Sequence, residues 1–155
     1  MNDKKKIKNS LVEGPITPEK IAASIAHHQV KTNIGAHDIF LGQVRADKIE
    51  GKQVVAIDYS AYTEMANKVF DDIREEAFEK FDLTCGHIYH STGIVKAGEL
   101  CLFVFTSSKH RAMAFDATRY ITEAIKEKAP VFGKELFEDG EHVWKVNKWL
   151  LISLN

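Results

Sequence analysis

At 155 residues, with 45% hydrophobic and 28% charged residues, the chain is sized for one domain with a real core. Its formal net charge of −1 excludes a nucleic-acid polycation. No stretch approaches the roughly 18 apolar residues of a membrane span, and the N-terminus has no apolar signal region, which predicts a cytoplasmic location.

The charge is uneven along the chain. Lys4, Lys5, Lys6 and Lys8 stand against Asp3, and the remainder is mildly acidic. Residues 1–12 are therefore predicted to be a disordered basic tail, and residues 13–155 a single domain. Thr17-Pro18-Glu19 supplies a cap, a first-turn proline and an early acid, so a helix should run to about His28. Residues 34–45 and 54–62 read as strands around a polar connection carrying Gly51, which predicts a long antiparallel hairpin. Met65, Val69, Ile73, Ala77 and Phe81 recur every four residues and predict an amphipathic helix over 63–81. Residues 83–90 and 99–106 read as two more strands, joined by a turn through Gly93 and Gly98. The run from Leu100 to Phe105 is apolar on both faces, so its strand should be covered on both sides. A second long helix is expected from about Lys109 to Lys128, starting after Ser107-Ser108 and stopped by Pro130. Residues 131–137 and 142–151 flank Glu138-Asp139-Gly140 as a last pair of strands. The order α, ββ, α, ββ, α, ββ favours an α+β fold with a mainly antiparallel sheet and two long helices.

The chemistry concentrates around the last helix. Its start presents His110 and Arg111, and a helix N-terminus already offers free N–H groups and a positive partial charge. An arginine fork and an imidazole added there suit an oxyanion. Cations at that end are otherwise electrostatically unfavourable, although a solvated first turn accounts for them equally. Lys126 and Lys128 complement the dipole at the other end, Lys134 follows Gly133, and Arg45 ends a strand; each has an ordinary structural reading. Cys85 and Cys101 lie in apolar runs without C-x-x-C spacing and read as buried thiols. None of His27, His28, His37, His87, His90 and His142 shows zinc-ligand spacing, so none is read as a metal ligand. No G-x-S-x-G, P-loop or G-x-G-x-x-G motif is present.

The order of these signals is more specific than any one of them. F-L-G-Q-V-R (Phe40–Arg45), Y-S-A-Y-T-E-M-A (Tyr59–Ala66), H-S-T-G (His90–Gly93), S-x-H-R-x-x-A-F (Ser108–Phe115), K-x-x-x-P (Lys126–Pro130), K-E (Lys134-Glu135) and a G-x-x-x-W ending follow one another. In this order they resemble the family of large, catalytic subunits of molybdopterin synthase. The resemblance implies an α/β-hammerhead fold. It also implies sulfur transfer from the thiocarboxylated C-terminal glycine of a small ubiquitin-like subunit to a cyclic pyranopterin monophosphate, forming the molybdopterin dithiolene. A homodimer carrying one small subunit at each end, with no metal or organic cofactor, is part of the same expectation.

By resemblance His110, Arg111 and Arg45 bind the substrate phosphate, Phe40 lines the pocket, and Lys126 is catalytic. A basic residue that the family places after its final tryptophan corresponds to Lys148. Where the family carries a second catalytic lysine this chain has Gly133, and Lys134 one residue later is the expected replacement. Two alternatives stay open: a non-catalytic relative that binds only pterin phosphate or the small subunit, and an unrelated oxyanion-binding protein.

Overall fold

The computed structural model describes residues 5–145. In chain order its elements are β1 (Leu11–Glu13), α1 (Pro18–His28), β2 (Ala36–Gln43), β3 (Lys48–Ile49), β4 (Lys52–Ala61), α2 (Thr63–Lys80), β5 (Cys85–Lys96), β6 (Leu100–Ser108), α3 (Arg111–Lys128), β7 (Val131–Phe137) and β8 (His142–Trp144). The strands form one sheet in the order β2-β6-β5-β4-β7-β8, with β1 added to β5 and β3 to β4. Every pairing except β1 with β5 is antiparallel, so the α+β reading with a mainly antiparallel sheet holds.

Strand β6 explains the architecture. Leu102 and Val104 enter a cluster with Phe70, Ile73, Ile121 and Ile125 from α2 and α3. Phe103 and Phe105 point the other way and pack with Ile16 against Ile21 and Ile25 of α1. A strand covered on both faces has to be apolar on both faces, as its sequence is. In α1 the Thr17 hydroxyl accepts the Lys20 N–H at 3.2 Å, and Pro18 opens the first turn.

Three expectations are corrected. The hairpin between residues 34–45 and 54–62 does not form. Strand β2 lies along β6, while β4 lies between β5 and β7. The Gly51 turn instead closes a two-residue hairpin between β3 and β4, and β6, buried on both faces, takes β2 as its edge neighbour. In α2 the buried stripe is Ala66, Phe70, Ile73 and Ala77, while Met65 is 49% exposed. Strict four-residue spacing gains about 40° per step on a helix of 3.6 residues per turn, so it walks off the buried face. Gly93 does not lie in a turn. It sits within β5, where the strand leaves β6 and pairs with β4.

The N-terminal boundary also moves. Leu11–Glu13 pairs in parallel with His90–Thr92, and the Ser10 N–H donates to Asn67 Oδ1 at 2.8 Å. The ordered body therefore begins before residue 13.

Candidate active site

Helix α3 starts later than Ser107-Ser108 suggested. Both serines end β6 and are fully buried; Ser107 Oγ meets His37 Nδ1 at 2.7 Å, and Ser108 Oγ donates to the His110 carbonyl. His110 occupies the cap position in extended conformation, and Arg111 is the first helical residue. No side chain caps this end and no acid lies in its first turn. The opening N–H groups are thus left beside an exposed imidazole and an exposed guanidinium. Gly35 fixes the approach: a Cβ there would lie 2.1 Å from the Lys109 carbonyl oxygen, so only glycine lets β2 pass beneath the turn.

The other end of α3 holds a different set. Lys126 and Lys128 lie in its last turn, and Lys128 stands 3.8 Å from Glu76. Among the described residues Lys126 forms no ion pair, but its charge acts on His90. His90 is buried, its ring edge-on to Tyr59 at 5.2 Å and stacked toward Phe70. Burial above all, with Lys126 adding to it against a hydrogen bond to the Ser91 carbonyl, pushes the His90 pKa down to about 4. Burial raises Tyr59, and the Cys101 thiol and Glu135 carboxylate push the same way.

Strand β7 decides which lysine joins this layer. Val131, Gly133, Glu135 and Phe137 are buried, whereas Phe132, Lys134 and Leu136 alternate to the other face. Lys134 therefore faces away from Gly133, and its ammonium lies 5.7 Å from the Trp144 ring. The face of Gly133 is occupied from the neighbouring chain segment by Lys145. The Lys145 N–H donates to the Gly133 carbonyl at 2.9 Å, which continues the β7–β8 ladder by one pair. Its Cδ lies 3.5 Å from where a Gly133 Cβ would be, and its ammonium is 3.7 Å from the buried Glu135 carboxylate. Lys145 was not singled out in the sequence. Its only signal there is a cross-strand relation to Gly133 that needs the β7–β8 register to be seen.

The remaining expected residues do not join the start of α3. Phe40 sits mid-β2 opposite Val104 and is 37% exposed. Arg45 follows β2 beyond the pair Gln43–Leu100, at the start of β6, and its largely exposed side chain bonds Asp47 at 3.3 Å. The start of β6 is roughly 26 Å from Ser108 at the strand's rise of about 3.3 Å per residue. Arg111 and Lys126 are about 22 Å apart along α3 at 1.5 Å per residue. One chain thus separates His110 and Arg111 from Arg45 and Lys126. Lys148 lies outside the described residues.

A family model described as MoaE protein matches residues 11–128. The chain belongs to the MoaE protein family. Among the relatives, the molybdopterin synthase catalytic subunit of Pyrococcus abyssi is 37% identical over 110 residues, 71% of this chain and 74% of that one. The counterpart from Oryza sativa subsp. indica is 40% identical over 76% of this chain, which spans 60% of the rice protein. The Bacillus subtilis counterpart is 34% identical over 84% of this chain and 80% of its own length. Among solved structures, a molybdopterin synthase from Staphylococcus aureus superposes with a TM-score of 0.77 at 30% identity, covering 89% of this chain and 96% of that one. A complex of subunits 1 and 2 of the molybdopterin-converting factor from Helicobacter pylori shares the fold at 18% identity, with a TM-score of 0.75 over 87% and 88% of the two chains. The resemblance read from the motifs is thereby confirmed. Family membership carries an enzymatic role in molybdopterin biosynthesis. No helix among the described residues is long and apolar enough to cross a membrane.

Proposed function

We propose that the chain is the sulfur-transferring, catalytic subunit of a molybdopterin synthase. It takes sulfur from the thiocarboxylated C-terminus of a small ubiquitin-like subunit and places it on cyclic pyranopterin monophosphate, forming the dithiolene. The observation that carries this reading is the convergence of Lys126 and Lys145 on the buried layer of His90, Tyr59, Gly133 and Glu135.

Two amines beside a carboxylate can hold an anionic tail and accept or deliver a proton during acyl and sulfur transfer. Lys145 lies beside Gly133, where the family's second catalytic lysine is missing, and this supports a catalytic over a non-catalytic reading. Its ion pair with a buried glutamate fixes the position of the amine. The uncapped start of α3, with His110 and Arg111, is the phosphate site, since free N–H groups and a guanidinium both favour a dianion.

A small phosphate ester gripped by Arg111 does not reach Lys126 of the same helix, some 22 Å away. The working site is therefore shared: the lysines of one copy face the His110-Arg111 start of a second copy in a homodimer, with one small subunit at each end. Arg45 belongs to the lysine side, and Phe40 lies between the two ends. The test is reconstitution with a thiocarboxylated small subunit and the cyclic precursor. Dithiolene product should form with the unmutated chain and fall sharply with Lys126→Ala; a folded chain giving no product contradicts the proposal.

A further inference from the structure

A second constellation lies on the face of the sheet covered by α1, and sulfur transfer does not use it. Cys85 and His87 are two apart on β5 and therefore share a face. His28, at the last turn of α1, is lowered onto them. The donor atoms of His28, Cys85 and His87 all lie within 4.8 Å of one another. His28 and Cys85 are buried.

The hydrogen bonds orient the lone pairs. His28 Nδ1 lies 2.6 Å from the Ser24 carbonyl, which can only accept, so the proton sits on Nδ1. With that proton placed, the His28 Nε2 lone pair accepts from His87 Nε2–H, 2.9 Å away. A ring nitrogen tied to a backbone carbonyl while its partner nitrogen points into a donor cluster is the arrangement of a metal-ligating histidine. Cys85 Sγ accepts a hydrogen bond from the Lys31 ammonium at 3.0 Å. Phe105 lies against His28 at 4.7 Å between ring centres and against His87 at 6.2 Å, giving the cluster an apolar wall. A groove of about 360 Å³ opens onto both histidines and leaves room for a fourth, exogenous ligand.

We infer that His28, Cys85 and His87 form a binding site for a zinc-type transition-metal ion, a structural clamp joining α1 to β5. The donor set is two imidazoles and one thiolate, which suits a borderline-soft ion in tetrahedral coordination. Magnesium or calcium is disfavoured because no carboxylate lines the groove. Zinc–nitrogen bonds of about 2.0–2.1 Å and a zinc–sulfur bond of about 2.3 Å at tetrahedral angles require the two Nε2 atoms to part by roughly 0.4 Å and the donors now up to 4.8 Å apart to close by about 1 Å, within reach of side-chain rotation. Binding releases the thiol proton of Cys85 to solvent, the proton that His87 Nε2 donates to His28 passes to Nδ1 of the same ring so that both Nε2 lone pairs face the ion, and Lys31 stays as a donor to the metal-bound sulfur.

The test titrates Co²⁺ into the full, untagged and reduced chain, without any small subunit, so that its outcome is independent of synthase activity. The expected result is tetrahedral ligand-field bands with a thiolate-to-cobalt charge-transfer band, all displaced by Zn²⁺. Cys85→Ser should remove the charge-transfer band, and His87→Gln should weaken binding by about tenfold or more. His142→Gln, at an exposed site, should leave the spectrum unchanged. Should Cys85→Ser fail to fold, Zn²⁺ must still raise the melting temperature of the parent chain and not that of His87→Gln. A chain that binds neither ion, an octahedral cobalt spectrum, or a charge-transfer band surviving Cys85→Ser overturns the inference.

Discussion

The two ends of α3 are both basic, but they are built for different work. At the start, His110 and Arg111 are exposed, uncapped and free of neighbouring acids in the first turn. Their environment is water and the helix's own N–H groups, so an arriving anion meets open donors. At the other end, Lys126 and Lys145 border a buried layer in which a histidine is held neutral and a glutamate is kept from solvent. Charge in that layer is only weakly screened, so small displacements of an amine matter more. Under the proposed function, binding belongs at the first end and chemistry at the second, and the helix keeps them apart within one chain.

That division sets the size of each mutational effect. Lys126→Ala should lower kcat by about 100-fold or more, the usual contribution of a positioned acid or base, with little change in KM. Arg111→Ala removes a charge-assisted contact of about 1.5–3 kcal/mol and should raise KM by roughly 10–100-fold while sparing kcat. An equal fall in kcat and kcat/KM for Arg111→Ala would put it with the lysines instead. Lys145→Ala should cost roughly tenfold or more in kcat, while Lys134→Ala, over the Trp144 ring on the opposite face, should cost less than about threefold. The reverse ranking would return the catalytic role to Lys134.

The last effect is silent at neutral pH. His90 titrates near 6.5 when unfolded and near 4 when folded, so the unfolded chain takes up a proton that the fold refuses. Stability is fully present above about pH 6.5 and is lost as pH falls toward 4, by about 3 kcal/mol over the whole window. Urea unfolding at pH 7 and pH 4.5 measures this loss. In His90→Gln it should be visibly shallower; an unchanged slope would remove His90 from the account.

The helices and the two-faced strand β6 were legible because local pattern decides them. Thr17 caps α1 as its sequence suggests, and Pro130 follows the end of α3. What stayed hidden is pairing between distant segments. The polar connection around Gly51 looked like the link of a long hairpin, yet it closes only β3 onto β4, because β2 is taken by β6 more than fifty residues later. Ser107 and Ser108 resemble a helix start, but the Ser107 hydroxyl pairs with His37 of the neighbouring strand, the Ser108 hydroxyl turns to the His110 carbonyl, and both residues remain strand.

The candidate site shows the same limit. Arg111 and Lys126 could be named from motif order. Lys145 could not, since its meaning depends on the empty side of Gly133 across a strand pair. Cys85-x-His87 carried a faint signal, two donors on one strand face, that becomes a cluster only when α1 brings His28 over it.

The central claim is that the phosphate end and the lysine end of the working site come from different copies of the chain. Mixing Lys126→Ala with Arg111→Ala protomers under exchange, assayed at substrate well below the unmutated KM so that both parents are nearly inactive, tests it directly. A shared site leaves one intact pocket in each mixed dimer, so activity should recover to about a quarter of the unmutated level in a two-fold symmetric dimer. Mixed protomers that exchange fully yet stay as inactive as either parent would contradict the claim.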